Sequence, residues 1–285
     1  MNCILCSKST LLEYSQDSYL NLPVYHCSNC DLYITGNSET ELKAKLKENY
    51  EESQWVGRDH YEIMLQSNYT DIESLGKKRQ WTSQYAYCMS FLKNKKKLLE
   101  VGTGAGQALC WFEETGFSVT GIEPDKRSVE LINHKLRHGH CIAGFAEDIQ
   151  LHEKFDVIWM SHVLEHLIRP DLFLQRSKNN LENDGIIFIE VPNCGNKEVL
   201  YSSIHEPSTF HFSKDALQKL GEKSGYEVVQ CDFFRSPTIF EGIINKIVKK
   251  YFRFMNDKLY LYYPKVVTDN KKGTDIRIIL KINEN

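Results

Sequence analysis

Short apolar runs separated by amphipathic stretches dominate the chain from Lys95 onward. The first run holds Leu98, Leu99 and Val101, and others follow at 118–122, 140–143, 156–160, 186–191, 226–234 and 275–282. They are rich in Leu, Val, Ile and Phe, which predicts strands. Helical spacing fills most of the gaps, at 105–115, 126–137, 170–181 and 213–224. Alternation of this kind predicts an α/β fold, a mostly parallel sheet with helices on both faces. The final strand arrives late, after a long segment at 235–274, as if added from the far side.

Before Lys95 the pattern differs. Ser38-Glu39-Thr40-Glu41 has the form of an N-cap with acids in the first turn, and Leu42, Leu46 and Tyr50 recur at a spacing of four. The spacing predicts a helix. The stretch 58–91 is rich in Tyr, Trp and Gln without strand alternation, which suits a lid or a connecting layer. The predicted organisation is a turn-rich module over 1–35, a helical connector over 36–94 and an α/β domain over 95–285, with an insertion at 235–274. In that insertion Ile239, Phe240, Ile243, Ile244, Ile247, Val248, Phe252 and Met255 recur at helical spacing beside Lys246, Lys249, Lys250 and Arg253. A basic amphipathic helix is expected there, packed on its own domain or a partner, with peripheral contact to an anionic membrane surface as the alternative.

Composition narrows the function classes. Across 285 residues, 35 Lys+Arg stand against 38 Asp+Glu, a net charge of −3. With 41% hydrophobic and 26% charged residues, disordered and fibrous classes are excluded. A dedicated nucleic-acid binder normally carries a basic excess, so no nucleic-acid partner is expected. No run approaches the roughly 18 apolar residues of a membrane span, and residues 1–12 lack the apolar core of a signal peptide. A cytoplasmic protein is expected.

Nine cysteines are present, and four of them are clustered. Cys3-x2-Cys6 and Cys27-x2-Cys30 form two hooks whose spacing is that of a zinc ribbon. Four thiolates complete a tetrahedral shell and leave no open position, so the expected zinc is structural. Cys88, Cys110, Cys141, Cys194 and Cys231 fall in apolar patterns and read as small buried hydrophobes.

The most informative stretch is Glu100-Val-Gly102-Thr-Gly104-Ala-Gly106, an apolar strand running into alternating glycines and then a helix. Glycines there permit a sharp turn and close approach of a ligand to the backbone. Glu123 ends the next strand, where a carboxylate can bond ribose hydroxyls. A dinucleotide fingerprint needs Gly or Ala at position 107, where this chain has Gln107. Glu100 would also sit badly beside a pyrophosphate, whereas it suits a cationic ligand such as S-adenosylmethionine, which carries an ammonium and a sulfonium and no phosphate.

These motifs resemble those of the class I S-adenosylmethionine-dependent methyltransferases. The resemblance runs from the glycine loop through Gly121-Ile-Glu123-Pro124, Phe155-Asp156-Val157-Ile158 and His162-Val-Leu-Glu165-His166-Leu to Glu190-Val-Pro192-Asn193. Tyr25-His26-Cys27-x2-Cys30-Asp31-Leu32 resembles a zinc-ribbon extension found on some members. The resemblance implies a Rossmann-like seven-stranded sheet with Gly102, Gly104 and Gly106 along the methionine part of the donor and Glu123 on its ribose. Asp148, with Glu147 close behind, is expected near the adenine, and Ser161 and His162 at the end of the fourth strand. A hydroxyl or amine acceptor needs its proton removed, and histidine is the natural base near neutral pH. His166 and His211, with Glu165 beside them, are the expected catalytic residues; His162 and His205 are further candidates. The expected acceptor is a small polar molecule, a sugar or nucleotide-sugar hydroxyl by resemblance. The alternatives are an RNA or protein methyltransferase that docks through the ribbon, and a non-catalytic binding protein on the same scaffold.

Overall fold

Three short strands open the chain as an antiparallel meander: β1 (Leu11–Ser15), β2 (Val24–Cys27) and β3 (Leu32–Thr35). The computed structural model describes residues 2–7, 11–51, 77–235 and 265–283. The meander brings the Cys3–Cys6 and Cys27–Cys30 hooks together. Four residues after β3, helix α1 (Glu39–Glu51) begins, with the Ser38 hydroxyl accepting from the Glu41 N–H at 3.2 Å as the expected N-cap. Its Leu42 and Leu46 bury against Leu20, Leu22 and Ile168. Helix α2 (Lys77–Cys88) then leads to the main sheet.

Strands β4 (Lys97–Val101), β5 (Ser118–Glu123), β6 (His140–Ala143), β7 (Phe155–Ser161) and β8 (Leu181–Pro192) are mutually parallel, in the spatial order β6-β5-β4-β7-β8. The helices between them are α3 (Gln107–Glu114), α4 (Lys126–Lys135) and α5 (Pro170–Ser177). Alternate residues along each strand point to opposite faces, and both faces are buried, which is why the strands read as continuous apolar runs. Leu98, Val157, Trp159, Ile186 and Phe188 pack with Cys88 of α2, Leu109 and Phe112 of α3 and Ile132 of α4. Their neighbours Leu99, Val101, Ile158, Met160, Ile187 and Ile189 pack on the other face with Phe173 and Leu174 of α5.

Beyond β8 the chain adds α6 (Lys197–Ile204), β9 (Phe210–Phe212), α7 (Lys214–Lys223), β10 (Tyr226–Arg235), β11 (Lys265–Val267) and β12 (Asp275–Ile282). The late strand β12 inserts antiparallel between β8 and β10, as its late position suggested. Short β11 pairs with the outer side of β10, so the mixed sheet has eight strands among the described residues, one more than the seven expected.

Three boundaries also differ from the pattern. Helix α3 starts at Gln107 rather than 105, because Gly106 precedes it in the left-handed conformation (φ 72°). Helix α4 stops at Lys135. The segment 170–181 divides into α5 and a 3-10 turn, and Leu181 already pairs with Phe155 in the sheet; an irregularity between Phe155 and Val157 absorbs the polar residues before Ile186. The amphipathic pattern at 239–255 and residues 58–76 of the connector lie outside the described residues. No helix among the described residues is long and apolar enough to cross a membrane.

The meander does not stand apart from the domain. β9 pairs with β3 to complete a second, four-stranded sheet, with Leu32 opposite Phe212 and Ile34 opposite Phe210. Cys27, Leu32 and Ile34 share one apolar cluster with Phe210, Phe212, Leu217 and Leu220. Lys223 at the end of α7 donates to the Ile4 and Leu5 carbonyls at 2.7 and 3.0 Å, tying down the first cysteine hook.

Candidate active site

A cleft of about 1400 Å³ opens over the carboxyl ends of β4, β5, β6 and β7, where open α/β sheets place their ligands. The glycine loop forms one wall. Gly102, Gly104 and Gly106 have φ values of 71°, 54° and 72°, a region L-residues rarely occupy. A Cβ at Gly102 or Gly106 would meet Val163 or Ile132 at 2.4 Å, whereas a Cβ at Gly104 would meet nothing within 4 Å. Gly104 therefore presents bare backbone to open cleft.

Two buried carboxylates stand below this loop. Glu123 accepts from the Gly104 N–H at 2.8 Å and from the Asp125 N–H at 3.1 Å. Burial still pushes it up to about 7. Burial, with Glu123 nearby, pushes Glu100 up to about 8, and Glu100 Oε2 has no hydrogen-bond partner among the described residues. An unpartnered carboxylate oxygen beside open glycine backbone fits a ligand that brings positive charge and lies close to the main chain. Farther along, Glu147 and Asp148 both line the cleft. The Glu147 carboxylate is engaged by the Ile168 and Arg169 N–H groups at 3.0 and 2.7 Å, whereas exposed Asp148 faces Lys43 of α1 at 3.5 Å.

Another stretch of the cleft wall is a dense polar network. Glu165 and His166 sit on the 3-10 turn Leu164–His166, and Thr209 holds that turn by donating from its N–H and its hydroxyl to the Glu165 carbonyl, both at 2.8 Å. His166 Nδ1 lies 3.1 Å from the Pro207 carbonyl, an acceptor, so Nδ1 carries the proton and Nε2 is the basic nitrogen, 3.9 Å from Glu165. Burial lowers the His166 pKa, against the pull of Glu165. His162 adopts φ 55° and places its ring within 3.5 Å of Glu165, 3.4 Å of Glu190 and 3.7 Å of Asp275. Burial opposes its charge, but Glu165 and Glu190 outweigh that and hold it well above the ordinary imidazole range.

Behind this wall, Glu190 of β8 pairs with fully buried Arg277 of β12, its direct neighbour in the sheet register. Burial opposes the ionised Glu190, yet Arg277 and His162 lower its pKa. From α2, Gln84 donates to Glu190 at 2.6 Å and to the Ser161 hydroxyl at 2.8 Å, and Gln80 donates to Glu190 at 3.1 Å. Gln80, Gln84, Glu190, Arg277 and Asp275 were not singled out from the sequence as site residues. A signal was present: Glu190 and Arg277 each interrupt an otherwise apolar strand, and buried charges demand partners.

The structure brings Glu165, His166, His162, Ser161, Glu100, Gly102, Gly104, Glu123 and Asp148 to the wall of one cleft. It does not bring His211 there. That ring is fully buried on β9, 2.9 Å from the Thr35 hydroxyl and 2.8 Å from the Ser203 hydroxyl, outside the cleft wall. Burial, with His166 nearby, lowers its pKa to about 3. A base must reach its proton, so the expectation of a catalytic His211 gives way to a structural position. His205 is half-exposed beside Asp17 at 3.6 Å and likewise lies off the cleft.

The Sγ atoms of Cys3, Cys6, Cys27 and Cys30 all lie within 4.8 Å of one another, with Cys6 and Cys27 3.7 Å apart. A tetrahedral zinc with sulfur at about 2.3 Å sets sulfurs about 3.8 Å apart, so this donor set fits such an ion. The other five cysteines are buried or nearly so, as their apolar surroundings implied.

A family model described as a methyltransferase domain matches residues 75–231, more than half of the chain. The ubiquinone biosynthesis O-methyltransferase of Pelagibacter ubique is 31% identical over 121 residues, 40% of this chain and 48% of that protein. An uncharacterized methyltransferase of Alkaliphilus oremlandii is 30% identical over 116 residues, 40% of this chain and 52% of that one. The chain thus spans about half the length of the curated relatives it matches. Among solved structures, the plantazolicin methyltransferase BpumL in complex with SAH superposes with a TM-score of 0.54 at 17% identity, covering 85% of this chain and 99% of that one. A SAM-dependent methyltransferase from Archaeoglobus fulgidus gives 0.51 at 18% identity, covering 71% and 94%. The sheet order, the glycine loop at the cleft and the matched domain agree: the chain belongs to the class I S-adenosylmethionine-dependent methyltransferases.

Proposed function

We propose that this enzyme transfers a methyl group from S-adenosylmethionine to a hydroxyl of a small polar acceptor, with His166 as the general base. The observation that carries this reading is the pairing of neutral His166 with Glu165 in the wall of the cleft that the glycine loop also lines. When bound, S-adenosylmethionine supplies a methyl already activated by its sulfonium, so alignment and proton removal are what the protein must add. Gly102, Gly104 and Gly106 give its methionine part a close seat, Glu100 faces its positive charge, Glu123 takes the ribose and Asp148 the adenine end. Ser161, fixed by Gln84, and His162 line the passage between donor and acceptor. At the far end, His166 Nε2 receives the hydroxyl proton, and Glu165 stabilises the imidazolium that results.

None of the relatives described above is named for a sugar, and the acceptor claim extends only to a small hydroxyl compound. Transfer of labelled methyl to a panel of phenols, polyols, sugars, nucleotide sugars and RNA tests it. Label appearing in RNA alone would overturn it. The ribbon's place in the fold also supports a small acceptor, because the β3 edge of the ribbon is already paired with β9.

The pKa values give a pH prediction for the donor. Glu100 near 8 and Glu123 near 7 are protonated in part at neutral pH. A cationic ligand favours the ionised form, so binding releases protons and affinity rises with pH, by up to about tenfold per unit below pH 8. Calorimetry in buffers of different ionisation enthalpy measures the release. A flat affinity between pH 6 and 8 would exclude Glu100 as the neighbour of the charged donor.

We infer that the four-cysteine cluster holds one structural zinc. Metal analysis of the purified protein should return about one zinc per chain, and Cys27→Ser should lower the unfolding temperature and raise amide exchange across residues 2–35. A folded chain without zinc would end this reading.

A further inference from the structure

His211 sits at the junction of the ribbon, β9 and α6. The ribbon strand β3 ends at Thr35, whose N–H donates to the Thr209 carbonyl at 2.9 Å. Thr209 in turn donates from its N–H to the Glu165 carbonyl at 2.8 Å, and from its hydroxyl to the Glu165 and Leu167 carbonyls at 2.8 and 2.6 Å. Pro207, two residues earlier, accepts from His166 Nδ1. One continuous hydrogen-bond path therefore runs from the ribbon to the turn that carries Glu165 and His166. His211 closes the seam from the side: its ring spans the Thr35 hydroxyl on the ribbon and the Ser203 hydroxyl on α6. Thr35, Ser203, Thr209 and His211 are all buried, so each of these polar contacts lacks water as an alternative.

We propose that Thr35 and His211 are positioning residues for methyl transfer: they lock β9 against the ribbon, and through Thr209 and Pro207 they set the tautomer and position of His166. The proposal rests on the reading of His166 as the base and gives the ribbon a role inside the enzyme rather than at a partner's surface. The hydroxyl is the element that matters at position 35, so Thr35→Ser keeps the lock and Thr35→Val, equal in shape, opens it. His211→Phe opens it from the other side.

The test uses the full-length, metal-loaded protein with nitrogen-15-labelled histidine and amide hydrogen exchange. In Thr35→Val and His211→Phe, the His166 Nδ1–H signal broadens or moves to the other tautomer, and exchange at residues 164–167 and 209–211 rises about tenfold. Thr35→Ser restores both to the wild-type pattern. Variants that lose thermal stability but keep the wild-type His166 signal and exchange would show a merely structural contact and overturn the proposal. Should the variants not fold, the wild-type protein decides: the Thr35 and Thr209 amides exchange together if the path is one unit, and a Thr209 amide that stays protected while Thr35 opens overturns it. Failure of the base assignment reads differently, as turnover that survives His166→Ala, an experiment independent of the Thr35 and Thr209 amides.

Discussion

Gly104→Val abolishes donor binding while leaving the fold in place. Calorimetry with S-adenosylmethionine should show at least a hundredfold weakening, about 2.7 kcal/mol. The backbone at 104 has φ 54°, where an L-residue costs roughly 1–2 kcal/mol and a β-branched one is least tolerated. Apart from its chain neighbours, no described residue has an atom within 4 Å of the added Cβ, which points into the space proposed for the ligand. The neighbouring glycines provide the contrast. Valine at 102 or 106 drives its Cβ to 2.4 Å from Val163 or Ile132, and those substitutions damage the packing itself. Their unfolding temperatures should fall by about 2–4 °C for each kcal/mol lost, with binding loss as a secondary effect. Gly104→Val with wild-type donor affinity would remove the glycine loop from the donor site.

The contrast between these positions reflects what a sequence carries locally. Strands β4 to β8 were legible because both faces of the sheet are buried and each run is apolar throughout. The glycine loop and the acids at 100 and 123 were legible for a related reason: a strand, a tight turn and a helix follow one another within a few residues. The three-residue strand β9 carries no pattern of its own, and its partner β3 lies at residues 32–35, far away in the chain. His211 misled for that reason. A histidine in Phe-His-Phe looks unsatisfied until Thr35, from a distant strand, and Ser203, eight residues earlier, occupy both ring nitrogens. The Glu190–Arg277 pair was half-visible. Each charge stands out in its own apolar strand, but which strands are neighbours became clear only with β12 inserted beside β8.

His166→Ala lowers the turnover of labelled methyl by about a hundredfold to ten-thousandfold, the usual range for removing a general base, without weakening S-adenosylmethionine binding. The split between rate and affinity follows from the proposed roles: donor contacts are assigned to Glu100, Glu123 and Asp148, and His166 is reserved for the acceptor's proton. The pH profile gives an independent check. Burial lowers the His166 pKa below that of an ordinary imidazole, so the base stays unprotonated through neutral pH and down into the acid range. With the donor saturating at every pH, wild-type turnover should therefore fall only at acid pH, along a limb that disappears in His166→Ala. His162 cannot supply that limb as a base, since Glu165 and Glu190 keep it protonated at neutral pH. His162→Gln would retain the acid limb even as it loosens the carboxylates around it. An acid limb that survives His166→Ala but vanishes in Glu165→Gln would transfer the base from the imidazole to the carboxylate beside it.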